Sequence, residues 1–318
     1  MYLTFDSPGY LWYLLSIPLL VLTHYAFLKY TKKRAIRFAN FQALKKVSDE
    51  KIMTHNYWIL LMRIVVIAFL ILSISGTTLW YVGQSDQNDF AILIDTSSSM
   101  SSSDFQPTRL DAAKTYVNTL VDNINPDSKI GVVSFSGASF IEQLPTTNHG
   151  DVKDTVSAMA IAQVSGTDIP GAMVTGANML LNSDKGKVMI LLTDGSNTVS
   201  YFDKDPIAQG IDYVKKNNII VDTIGLGTNS GPIGYLPEYY NISSVYDADT
   251  LVRIANATGG KYYYAGNTAE LQSTYKDILK NVKQANIPIH LDEGLLIISL
   301  LLIFVEWGLI NTRFRALP

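Results

Sequence analysis

The pentapeptide Asp95-Thr96-Ser97-Ser98-Ser99 puts one carboxylate and four hydroxyls directly behind the apolar run Ala91 to Ile94. Two chemistries suit such a stretch. Ser and Asp side chains satisfy orphan N–H groups at helix starts, so it can be a helix cap. Asp95, Ser97 and Ser99 can equally form a cluster of hard oxygen ligands for a divalent cation. Two further segments bear on the choice. Thr193-Asp194-Gly195 follows the apolar run "VMILL", and Thr167 stands just ahead of a helix signal in "SGTDIPGA". Two carboxylates (Asp95, Asp194) and three hydroxyls (Ser97, Ser99, Thr167) suit a small cation that keeps waters and open positions. Few carboxylates and many hydroxyls lean towards Mg2+, with Mn2+ and Ca2+ left open.

For these residues to meet, the chain must bring three segments to one place. From residue 88 onward, strand and helix signals alternate. "FAILID", "KIGVVSF", "KVMILLTDG", "IIVDTIGLG" and "KYYYAG" read as strands, with "SFIEQL" a short edge strand. Between them "TRLDAAKTYVNTLVDNI", "DVKDTVSAM", "DIPGAMVTGANMLLN", "DPIAQGIDYVKKNN" and "DADTLVRIANATGG" read as helices, and "TAELQSTYKDILKNV" as a last one. Near-continuous apolar strands separated by helices predict an α/β fold, a Rossmann-like, doubly wound, mainly parallel sheet covered on both faces. In such sheets ligands bind beyond the carboxyl ends of the strands, where Asp95 and Asp194 fall. Residues 228–246, rich in Tyr, form the longest irregular stretch.

The order D-x-S-x-S, a Thr loop, then T-D-G at a strand end resembles the von Willebrand factor A (VWA) domain, over residues 88–284. The resemblance implies a metal-ion-dependent adhesion site (MIDAS). Ser97, Ser99 and Thr167 would supply hydroxyl ligands, and Asp95 and Asp194 would bind directly or through water. It also implies a protein partner whose carboxylate completes the coordination.

Other classes fit less well. "GLGTNSG" (225–231) matches neither G-x-G-x-x-G nor the P-loop spacing, and there is no G-x-S-x-G or H-E-x-x-H. The four histidines are scattered along the chain and make no nucleophile–base pair. An enzyme is therefore not expected; a metal-assisted hydrolase stays as an alternative that lacks an obvious general base. Residues 80–291 carry 14 basic and 22 acidic residues, a net −8, which disfavours nucleic acid as a partner. There are no cysteines, hence neither disulfides nor thiol chemistry.

Three apolar segments flank this domain, about 9–28, 57–80 and 294–311, each near the roughly 20 residues a membrane span needs. The first lacks a basic start and a cleavage site, so it reads as a retained span and not a secretory signal. Its Pro18 would need neighbouring helices to satisfy the freed carbonyl. Eight Lys and Arg crowd residues 29–56, and Arg313 and Arg315 follow the last span. The positive-inside rule then predicts a multi-pass plasma-membrane protein with residues 29–56 and 311–318 cytoplasmic and the VWA domain extracytoplasmic. The basic loop doubles as a contact for anionic membrane lipid. Three spans offer too little polar lining for a channel. Arg63 and Glu306 both fall roughly 8–9 Å inside the cytoplasmic boundary, so they either form an intramembrane ion pair or snorkel separately.

"LTFDSPGYLWYLLSIPLLVL", the basic stretch, "FANFQAL" and the closing "FVEWGLINTRFRALP" resemble the Bat, or aerotolerance-type, membrane proteins of bacteria and archaea. That resemblance implies a membrane complex with other VWA membrane proteins and a MoxR-type AAA+ ATPase. The expectation is a membrane-anchored module for divalent-cation-dependent protein binding. A metal-dependent adhesion receptor for an extracellular ligand is the alternative.

Overall fold

A computed structural model describes residues 1–37, 57–199, 205–227, 246–267, 270 and 284–312. The chain begins with strand β1 (Tyr2–Phe5), a 3-10 helix (Pro8–Leu15) and helix α1 (Ser16–Arg37). Helix α2 (Tyr57–Ile74) and strand β2 (Thr77–Gln84) follow. Then come β3 (Asp89–Asp95), α3 (Arg109–Val121), β4 (Ile130–Phe135), β5 (Ser139–Thr146), α4 (His149–Ala158) and α5 (Ile169–Leu180). The path continues through β6 (Lys187–Thr193), α6 (Pro206–Lys216), β7 (Ile220–Leu226), α7 (Ala248–Thr258) and β8 (Tyr262–Ala265). It closes with β9 (Gln284–His290) and α8 (Asp292–Thr312). Two compact units result: residues 1–80 with 289–318, and residues 81–288. Of the sequence-based expectations, the Tyr-rich stretch, nearly all of the last helix of the α/β domain, residues 38–56 and the tail with Arg313 and Arg315 lie outside the described residues.

The larger unit is the α/β domain. Its six-stranded sheet runs β5-β4-β3-β6-β7-β8, parallel except for the antiparallel edge strand β5. Every residue of β3, β4, β6 and β7 is buried, as expected where helices cover both faces. The two faces are read off alternate residues of one strand. Ile92 and Ile94 join Val117 and Leu120 of α3 in one core, whereas Ala91 and Leu93 join Met173 and Ala177 of α5 in the other. Helix starts are capped by side chains the sequence supplies: Thr108 accepts from the Asp111 N–H, and Asp168 accepts from the Gly171 N–H. Strand β3 lies between β4 on one side and β6 on the other, so the chain reverses its direction of winding there. The crevice beyond the carboxyl ends of β3 and β6 is the switch point at which open α/β sheets bind ligands.

Among the described residues, three helices are long and apolar enough to cross a membrane: Pro8–Phe27, Tyr57–Ile74 and Asp292–Thr312. Pro18 lies inside a continuous helical stretch, two residues after the 3-10 helix Pro8–Leu15 passes into α1. The boundaries differ from the sequence reading at one place. The second helix stops at Ile74 and not near residue 80, because the Ser75 and Thr77 hydroxyls both donate to the Leu72 carbonyl. The β-branched and aromatic residues beyond it then pair with β1, from Phe5 against Thr77 to Tyr2 against Trp80. Helices α2 and α8 run antiparallel, tied at one end by Ser73 Oγ donating to the Asp292 carbonyl. Towards the other end Arg63 Nε lies 2.5 Å from Glu306 Oε1.

Candidate metal centre

Sheet register assembles the site. Ile94 of β3 stands opposite Leu192 of β6, so the residues that follow, Asp95 and Thr193, emerge side by side. Thr193 Oγ1 donates to Asp95 Oδ2 at 2.6 Å, and the Ser97 N–H donates to Asp95 Oδ1 at 2.8 Å. The backbone then turns into a short 3-10 segment, Ser98–Ser101, which leaves Ser97 Oγ and Ser99 Oγ 3.0 Å apart. Asp194 follows Thr193, and its Oδ1 accepts from both the N–H and the hydroxyl of Ser196. Gly195 has φ +83°, and a Cβ there would come within 2.2 Å of the Asp247 carbonyl, so the turn admits no side chain.

The third segment is strapped onto the second. The Thr167 N–H donates to Thr198 Oγ1, while the Thr198 and Val199 N–H groups return to the Thr167 carbonyl. Asn197 Oδ1 accepts from the Ile169 N–H at the start of α5. The Asp168 N–H donates to the Ser136 carbonyl and the Ala162 N–H to the Thr96 carbonyl, so the Thr167 loop is held to both neighbouring strand ends. Asp95, Ser97 and Ser99 are joined by hydrogen bonds at the end of β3, Asp194 follows Thr193 at the end of the adjacent β6, and buried Thr167 is tied by its backbone to Thr198 and Val199.

Asp95 and Asp194 are fully buried. Burial pushes the Asp95 carboxyl above the usual carboxylate range, and the neighbouring Asp194 charge pushes it further. A buried carboxylate held beside a second buried carboxylate suits a cation near both. Each Asp95 oxygen spends one lone pair on a protein donor, which orients the group and leaves acceptor capacity. The serine spacing also fits: adjacent oxygens at about 2.1 Å from an octahedral Mg2+ lie about 3.0 Å apart, against about 3.4 Å around Ca2+ at about 2.4 Å. Among the described residues no group of three or more His, Cys, Asp or Glu gathers as a metal site, so hydroxyls must make up any ligand set here.

Sequence reasoning gave Thr193 no role of its own and missed Ser196, Asn197 and Thr198, which hold the candidate ligands in place, and Arg109, whose Nη1 lies 3.4 Å from Asp194 Oδ2. Arg109 left a trace in the sequence: a cation in the first turn of a helix opposes the macrodipole and needs another reason to be there.

A parallel sheet wound in this order, with an Asp/Ser/Thr crevice at its switch point, is the VWA architecture. Residues 90–197 match the family model of the von Willebrand factor type A domain, and residues 1–76 match that of the aerotolerance regulator N-terminal region. The chain thus carries a VWA domain behind an N-terminal region similar to that of the aerotolerance regulators. It is 25% identical over 296 residues to a UPF0353 protein of Nocardia farcinica, covering 87% of this chain and 88% of that one. A UPF0353 protein of Mycolicibacterium paratuberculosis is 23% identical over 261 residues, covering 79% and 77%. The solved structure of BatB from Bacteroides thetaiotaomicron shares the fold with a TM-score of 0.53 at 23% identity, over 62% of this chain and 99% of that one. Proximal thread matrix protein 1 of the mussel byssus, solved with a zinc-occupied MIDAS motif, shares it with a TM-score of 0.51 at 19% identity, over 66% and 49%.

Proposed function

We propose that this protein is a membrane-anchored, non-enzymatic module that binds protein partners through a divalent cation. Asp95, Ser97, Ser99, Thr167 and Asp194 would hold the ion, with Mg2+ the best fit. When bound, it supplies a coordination position that a partner's carboxylate fills. The chain's own residues do the rest. Thr193 and the Ser97 N–H keep the Asp95 oxygens pointed, and Ser196 fixes Asp194. The Asn197–Val199 strap holds the Thr167 loop against both strand ends. The observation that carries this reading is the pair of fully buried, adjacent carboxylates Asp95 and Asp194 beside the Ser97/Ser99 hydroxyls.

In the same proposal the protein is multi-pass, with the VWA domain outside the plasma membrane and residues 29–56 and 311–318 in the cytoplasm. It would work in a membrane complex with other VWA proteins, and its cytoplasmic loop would contact a MoxR-type ATPase. The paired Arg63 and Glu306 would lock the two helices that frame the domain.

The test of the metal reading is the thermal shift that Mg2+ or Mn2+ gives the full-length, detergent-solubilised protein, followed by affinity capture with Mg2+ or with EDTA. Wild type should gain stability from the ion and release its partner in EDTA. Asp95→Ala and Asp194→Ala should fold, gain nothing and capture nothing. Partner capture indifferent to EDTA and to both substitutions would overturn it. Because the chain has no cysteine, single cysteines placed at Asp154 and at Lys45 report the topology directly. An impermeant thiol reagent on intact cells should reach the first and not the second.

A further inference from the structure

Arg109 is an unexpected residue for its position. It opens α3, where the positive end of the helix dipole disfavours a cation, and its side chain is completely buried. A buried guanidinium is tolerated only where carboxylates meet it. Here its Nε lies 2.8 Å and 3.1 Å from the two Asp104 oxygens, its Nη2 lies 2.5 Å from Asp104 Oδ2, and its Nη1 lies 3.4 Å from Asp194 Oδ2. The fork is thus anchored on Asp104, and one arm extends to a residue of the metal crevice. A Cβ on Gly227, at the end of β7 with φ +148°, would come within 2.9 Å of Arg109 Cζ. The guanidinium therefore lies directly against that backbone.

We propose that Arg109 is the resident counter-cation of the metal site, a positioning residue that neutralises Asp194 when no ion is bound and opposes the ion when one arrives. This rests on the metal-site reading above and deepens it. The domain keeps its fold without metal because Asp194 is never left as an unpaired buried charge. The same fixed positive charge weakens cation binding, which makes the ion exchangeable and not a structural staple. Asp104 sets the strength of this opposition, since its carboxylate offsets part of the guanidinium charge. An ion held loosely by such a site is one whose occupancy a partner's carboxylate can decide.

The prediction is that charge changes at the two ends of this relay act in opposite directions. Mn2+ titration of the full-length protein in detergent, read by electron paramagnetic resonance, gives the dissociation constant, and circular dichroism melting gives the metal-free stability. Arg109→Gln should lower metal-free stability yet tighten Mn2+ about tenfold, the scale of one neighbouring unit charge under water-like screening. Asp104→Asn should weaken Mn2+ about threefold or more, Asp104→Glu should restore it, and Arg109→Lys should stay within about threefold of wild type. If Arg109→Gln does not fold, the Asp104 pair decides alone: weakening by Asn and rescue by Glu support the proposal, and an unchanged constant overturns it. Arg109→Gln and Asp104→Asn both weakening the ion, as a purely structural role requires, would also overturn it. A wild type that binds no Mn2+ would refute the metal site itself, a separate result.

Discussion

Any test of metal-dependent stability needs a metal-free baseline, and Asp222 gives that baseline a pH dependence unrelated to the site. It sits in β7 at 2% exposure. Oδ1 accepts from the Lys261 N–H, and Oδ2 is buried with no hydrogen-bond partner among the described residues. Burial pushes its carboxyl from the ordinary 3.8 up to about 6. Between those values the folded chain holds a proton that the unfolded chain has released, so stability is full below the lower value and is lost as pH rises through the upper. A shift of about two units at about 1.4 kcal/mol each sets the loss at about 3 kcal/mol. Asp222→Asn keeps the acceptor for Lys261 and cannot ionise. The stability difference between variant and wild type should therefore change by about 3 kcal/mol in favour of the variant between pH 4 and pH 8. Melting of both full-length proteins in EDTA across that range measures it, with about 2–4 °C expected per kcal/mol. Parallel curves would refute the reasoning, whatever the offset between them.

Thr193→Val removes the donor to Asp95 Oδ2 inside the core and should cost about 1–3 kcal/mol while weakening the response to Mg2+, both visible in one thermal-shift series. Thr198→Val cuts the side-chain half of the strap on Thr167; Mg2+ affinity should fall with little change in metal-free melting, and equal losses in both would count against a positioning role. Gly227→Ala should push on the Arg109 guanidinium and lower metal-free stability by about 1–3 kcal/mol, read by the same melts. In the membrane unit, Glu306→Gln and Arg63→Gln should each lower detergent melting, and the Arg63→Glu/Glu306→Arg exchange should recover most of it; no recovery would mean the two charges act separately.

What a linear reading can capture is whatever has short range. Apolar runs such as "FAILID" and "VMILL" announce buried strands because strands of a covered parallel sheet bury both faces. The residue types at their ends disclose oxygen-ligand chemistry. Stretches of about 20 apolar residues mark membrane-competent helices by length alone. Tertiary structure decided the rest, because it depends on partners distant in the chain. The strand beyond α2 was hidden, since its partner for residues 77–80 is β1, more than 70 residues earlier. In the sequence Arg109 stands out only as a cation in the first turn of a helix. Its meaning comes from Asp194, 85 positions away, which only the side-by-side placement of β3 and β6 brings within reach. The residue types proposed as ligands were legible locally, whereas the charge balance around them is a property of the fold, because Coulomb interactions depend on distance in space and on burial, and neither is written in sequence order.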